Sequence, residues 1–217
     1  MNYKNKEEIN KIVTWARVTF PNSALPIDHV KVSIKYIILC IDILDFLKRI
    51  SDEAALEKIL VEVRTVYMWL LYYILNYSDV AYESAVRSTS EWTMRLCIKY
   101  IDTQITFSEL SQLNHARMWP KLNESSYFTD KKLLNNINNI FANSSKNIHR
   151  DQFSNPIVVD FLNDITKTKD NKAISKINKD VKFFYKFILT EVWDKEVLRD
   201  NLTVSQKMKY KEIQECR

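Results

Sequence analysis

The chain of 217 residues contains no glycine. At ordinary usage of about 7%, roughly fifteen would be expected. Glycine opens φ > 0 to the backbone and lets it approach a phosphate closely. Its absence removes several function classes: there is no G-x-G-x-x-G turn, Walker A loop, G-x-S-x-G elbow or glycine-rich kinase loop. Asn-Gly hairpins are missing as well. Cysteine is scarce. Cys40, Cys97 and Cys216 are odd in number and lack metal-site spacing, which argues against a disulfide framework. The most apolar run, Val66 to Leu75, is ten residues long, against about 20 for a membrane span. A second candidate, Val30 to Leu47, is interrupted by Lys31, Lys35, Asp42 and Asp45. Met1 to Lys6 lead into Glu7 and Glu8 with no apolar leader. The expectation is a cytoplasmic protein with reduced thiols and no membrane segment.

What is present favours helices. The chain is 46% hydrophobic and 12% aromatic, enough for a substantial core. Its net charge of +5 permits an anionic partner without demanding one. A first helix is predicted over 5–19, broken by Pro21 and Pro26. A second runs to Ile50, with Val30, Ile34, Ile37, Ile38, Ile41, Leu44 and Leu47 on one face. The third, over 52–77, is apolar all round from Tyr67 to Leu75, which suits a bundle interior or an oligomer contact. A fourth extends to Ile101. Thr106 with Glu109 is a capping box for a short fifth helix that stops before Pro120. Asn123 to Ser126 read as loop. Asp130 opens a sixth helix whose Asn-rich surface needs tertiary packing to hold it. Pro156 starts a seventh, and an eighth covers 173–199 before a charged tail. The fold class is therefore all-α, a bundle of seven or eight helices. The charged linker near 166–172 divides a core, 1–165, from a basic C-terminal arm, 166–217.

Three polar clusters carry candidate chemistry. Arg87, Glu91 and Arg95 recur every fourth residue and share a helical face. Such a set forms an ion-pair ladder, and its excess positive charge suits a phosphate. The second cluster is Lys146, His149 and Arg150 at the end of the sixth helix. Imidazole titrates near neutrality, so His149 is the preferred general acid–base group. His115 on a shorter helix and His29 at a helix start are read as structural. The third is the lysine face Lys176, Lys179, Lys182 and Lys186, where Tyr185 and Trp193 are available to stack on bases. No histidine or carboxylate pair has metal-site spacing, so neither metal nor cofactor is expected.

The order of these features resembles the HEPN-like all-helical proteins of prokaryotic defence systems. It comprises an apolar helix, then Arg87-Ser88-x-x-Glu91-x-x-x-Arg95, then a later helix ending Ser145-Lys146-Asn147-Ile148-His149. The resemblance covers 60–165. It implies a dimerising bundle that acts on RNA, in active members by metal-independent cleavage. The family's Arg, four to six residues before a His, is absent: Ala142, Asn143 and Ser144 stand where it would precede His149. On the resemblance, His149 transfers protons while Arg87, Arg95 or Arg150 holds phosphate charge, and Glu91 completes the face. The lysines Lys146, Lys176, Lys179, Lys182 and Lys186 bind RNA alongside Arg150. The alternative is a non-enzymatic partner-binding subunit, antitoxin or sensor. Either way a homodimer is expected, with the third or fourth helix at its interface.

Overall fold

The computed structural model describes residues 3–21, 23, 25–128, 130–151, 171–194 and 202–215. The described residues form nine α-helices and no strand, so the all-α expectation holds. The helices are α1 (Tyr3–Thr19), α2 (Lys31–Ile50, entered through a 3-10 turn at Ile27–Val30), α3 (Ala54–Leu75) and α4 (Asp79–Ile101). They continue with α5 (Phe107–Gln112), α6 (His115–Glu124), α7 (Lys131–Asp151), α8 (Asn171–Phe187) and α9 (Val204–Glu215). A π-helical turn, Ile188–Trp193, extends α8.

The missing glycine shapes the described helix ends. No described residue has positive φ, so among these ends none closes in the left-handed turn that commonly satisfies the last carbonyls. Instead the chain steps into extended backbone at Ser51 (φ −76°, ψ 128°), Leu113 (φ −69°, ψ 124°) and Ser125 (φ −66°, ψ 136°). The starts of α5, α6, α7 and α9 are capped by side chains, whereas those of α2, α3 and α4 carry no side-chain cap. Thr106 and Glu109 form the predicted capping box. At α7, Asp130 Oδ1 accepts the Leu133 N–H at 2.9 Å, while the Asp130 N–H donates to buried Glu191 at 3.3 Å. The π-helical turn that carries Glu191 thus supplies the second half of a cap to a distant helix.

Two boundaries differ from the sequence reading. The predicted fifth helix is two, because the Asn114 side chain accepts the Arg117 N–H and starts α6 afresh. Pro120 then lies inside α6 rather than beyond its end, and Asn123 and Glu124 are helical, not loop. The charged tail also forms a helix, α9, anchored by buried Ile213 and by Tyr210 stacked 5.2 Å from Trp193. The seventh predicted helix and the linker at 166–170 lie outside the described residues.

Helix α4 is the centre. It packs on α3, α5, α6 and α7, while α2 packs on α3 and α8 from the opposite side. Ile34, Ile37, Ile43 and Leu44 of α2, Ile59, Leu60 and Val63 of α3, and Phe184 and Phe187 of α8 are all buried in one core. Each such side chain contributes about 1.5–3 kcal/mol. Among the described residues no helix is long and apolar enough to cross a membrane.

Candidate functional site

The predicted face of α4 divides into two halves with different work. Arg95 is buried and every donor it uses is internal. It pairs with Glu91 at 2.7 Å, and it donates to the carbonyls of Leu110 (3.2 Å), Ser111 (3.4 Å) and Leu113 (3.0 Å). These carbonyls lie where α5 ends without a left-handed turn; of the three, that of Leu110 also accepts the Leu113 N–H at 3.2 Å. Its guanidinium also lies 4.8 Å over Trp92. One turn on, Lys99 is 2% exposed and binds the carbonyls of Thr103 and Ile105 and the carboxylate of Glu53. Glu91 and Arg95 therefore belong to a lock on the α4–α6 connection.

Arg87 stands apart from that lock. Its guanidinium lies 5.6 Å from the centre of the Phe141 ring on α7, and its buried Nε finds no hydrogen-bond partner. Four residues earlier, Glu83 accepts a bond from Asn147 of α7 at 3.1 Å. These contacts set α4 and α7 antiparallel, with Arg87 opposite the stretch between Phe141 and Asn147. Ser144, in that stretch, is fully buried and its Oγ also lacks a partner.

Helix α8 closes this seam through charge. The Lys176 amine sits 3.0 Å from Glu83 and 2.9 Å from Asp180, and it lies 5.1 Å from the Tyr82 ring. Tyr82 donates to Asp180 at 3.2 Å. Burial pushes the Asp180 carboxyl above the usual carboxylate range, with Lys176 opposing it. Burial would lower the Lys176 ammonium, but Asp180 and Glu83 outweigh it and the net shift is upward. Burial, with Asp180 and Glu83 beside it, holds the Tyr82 hydroxyl well above the ordinary phenol value. One ammonium thus serves two carboxylates from two helices.

The structure sorts the predicted lysines. Lys176 is engaged in this hub. Lys179, Lys182 and Lys186 are exposed along one stripe of α8 and make no ion pair among the described residues. Lys146 is exposed on α7. Tyr185 and Trp193 are taken by the core: Tyr185 stacks on Tyr36 at 4.5 Å, and Trp193 packs against Phe46 and Tyr210. The side chains of His149 and Arg150 lie outside the described residues, although α7 runs through both positions.

Sequence reasoning missed Glu83, Tyr82, Asp180 and Asn147. The spacing of Glu83 to Arg87 extends the four-residue series one step back and was the available signal. Asp180 stands four residues after Lys176, a local signal, but its bond from Tyr82 spans 98 residues; nothing local marks Asn147, whose partner is 64 residues away. No protein-family model, curated protein or solved structure matches this chain.

Proposed function

We propose that this chain is an RNA-directed, HEPN-like defence protein of abortive-infection or toxin–antitoxin type that cleaves RNA without a metal. The observation that carries an anionic partner is the stripe Lys179, Lys182 and Lys186 on α8, exposed and without an ion pair among the described residues. Its outer members are seven residues apart, about 10 Å along the helix, a length that serves successive phosphates. Arg87 supports the chemistry: it remains outside the internal lock that consumes Arg95, on the seam with α7, whose last turns carry His149 and Arg150. The 2′-hydroxyl attacks the adjacent phosphate, and positive charge stabilises the phosphorane.

The test uses single-stranded RNA with a chelator present. Replacing Lys179, Lys182 and Lys186 by alanine should flatten the plot of log affinity against log salt by about 2, at about 0.7 for each phosphate no longer neutralised. His149→Ala should lower cleavage by about 100-fold or more with binding retained. An unchanged salt slope and no cleavage by the parent protein would refute the reading.

A second reading, a dimeric partner-binding protein, is favoured by one surface. Trp15, Phe20, Tyr72, Trp69 and Tyr73 form a continuous run of ring contacts 5.5–5.8 Å apart. Trp15 is 50% exposed, Trp69 51% and Met68 46%. Thr65 to Tyr82 carry a single charge, Asp79. Depletion of charge with aromatic and Met enrichment is the composition of an interface centre. Beside Trp69 an open slot of about 250 Å³ is lined by Val66, Tyr73, Ala85, Ser84 and Ser88. Sedimentation equilibrium should give twice the chain mass of 25.8 kDa, and Trp69→Glu should return it to one copy with helicity intact. A monomeric parent at micromolar concentration would remove the dimer.

A further inference from the structure

The histidine set aside in the sequence as structural occupies the more elaborate site. His115 is the first residue of α6 and is half-buried. Its ring stacks on Phe141 (4.3 Å between centres, 10° between planes) and on Trp119 (6.5 Å, 6°). Its Nε2 lies 2.6 Å from Asn138 Oδ1. An amide oxygen is an acceptor only, so Nε2 carries the proton in the neutral ring and Nδ1 keeps its lone pair. Nδ1 has no partner among the described residues. This is the general arrangement of an activated base: an imidazole whose tautomer is fixed by a neighbouring polar group, with the other nitrogen open. The Phe141 ring that stacks on His115 also carries the Arg87 guanidinium at 5.6 Å. A titratable base and an unlocked cation therefore share one aromatic wall, on α6, α7 and α4. The first turn of α6 favours an anion at the same place.

We infer that His115, oriented by Asn138, is a proton-accepting catalytic residue at an anion site shared with Arg87. The ligand class is a phosphodiester. Resting on the RNA-cleavage reading, the step is a transfer of the ribose 2′-hydroxyl proton to His115 Nδ1. The freed 2′-oxygen forms a bond to phosphorus as the phosphorus–O5′ bond breaks. The departing 5′-oxygen takes its proton from a general acid, the role this step leaves to His149 in the proposed reaction, and the His115 imidazolium returns its proton to solvent.

With single-stranded RNA, His115→Ala should lower kcat about 100-fold and move KM less than threefold (~0.6 kcal/mol). Asn138 is a positioning residue, so Asn138→Ala should cost about 10-fold in kcat. Asn138→Asp should keep most of the activity and move the acid limb of the pH–rate profile upward, because a carboxylate beside the ring stabilises its cation; a purely structural asparagine would leave that limb in place. If the parent cleaves and His115→Ala changes kcat less than about twofold, the inference is overturned while the RNA reading stands. If the parent does not cleave, the RNA reading falls. The site is then judged by titrating the protein with inorganic phosphate and following the His115 ring protons by NMR. A saturable shift, lost in Arg87→Ala, supports it, and no shift overturns it.

Discussion

Arg95→Met is expected to lower stability by about 3–5 kcal/mol, the range for removing one partner of a buried charge pair. In a chain of this size that is a drop in melting temperature of roughly 6–20 °C. The cost comes from what the arginine leaves behind. Three carbonyls, those of Leu110, Ser111 and Leu113, lose their only charged donor, and Glu91 is left facing an empty pair position. Elsewhere a glycine in the left-handed conformation would recover such carbonyls with backbone N–H groups; this chain has no glycine to do so. Arg95→Lys should rescue little, because an ammonium on a flexible stem cannot reach several acceptors as a planar fork does. Glu91→Gln should cost far less, since its side chain is 25% exposed and water can replace the lost charge. Thermal unfolding of the three variants checks the ordering. An Arg95→Met loss under about 1 kcal/mol would mean that the connection between α4 and α6 finds other donors.

How far the fold could be read from the chain follows from which signals are local. The face of α2 was legible because Ile34, Ile37 and Leu44 recur at helical spacing and are buried as that spacing requires. The α5 start was legible because a capping box needs only Thr106 and Glu109. The break at Asn114 was hidden by Pro120, a stronger stop signal that α6 in fact contains. The tail gave little sign of α9 because its docking uses only a few residues, chiefly Ile213, Tyr210 and Lys209. The site was read in part. Arg87 and the lysine stripe were visible as spacing on single helices. The use of Arg95, the duty of Lys176 and the setting of His115 depend on carbonyls, carboxylates and rings brought in from other elements, and no pattern on one helix encodes those.

The hub of Glu83, Lys176 and Asp180 yields the last prediction, a stability difference that peaks at intermediate pH. Lys176→Met leaves two carboxylates from α4 and α8 near each other without their shared cation. About 2–3 kcal/mol should be lost near neutrality. This is the lower part of the range for broken buried pairs, because the Lys176 side chain is 36% exposed and partly screened. The pH dependence follows from the directions of the shifts. The Lys176 ammonium holds its proton more tightly in the folded chain than its ordinary value of 10.5. Its contribution is therefore complete below that value and vanishes as pH rises through the higher folded one. Asp180 is shifted upward from 3.8 by burial. The native chain takes up that proton more readily than the unfolded chain, so this group adds stability as pH falls through its folded value. Once Asp180 is neutral, an absent lysine matters less. The gap between parent and Lys176→Met should thus be widest between these two limits and shrink on both sides. Alkali, not acid, should loosen α8 in the parent protein. Melting curves of both proteins from about pH 4 to 11 measure the gap directly. A gap that stays constant across the range would show that Lys176 acts by packing its stem against Tyr82 rather than through its charge.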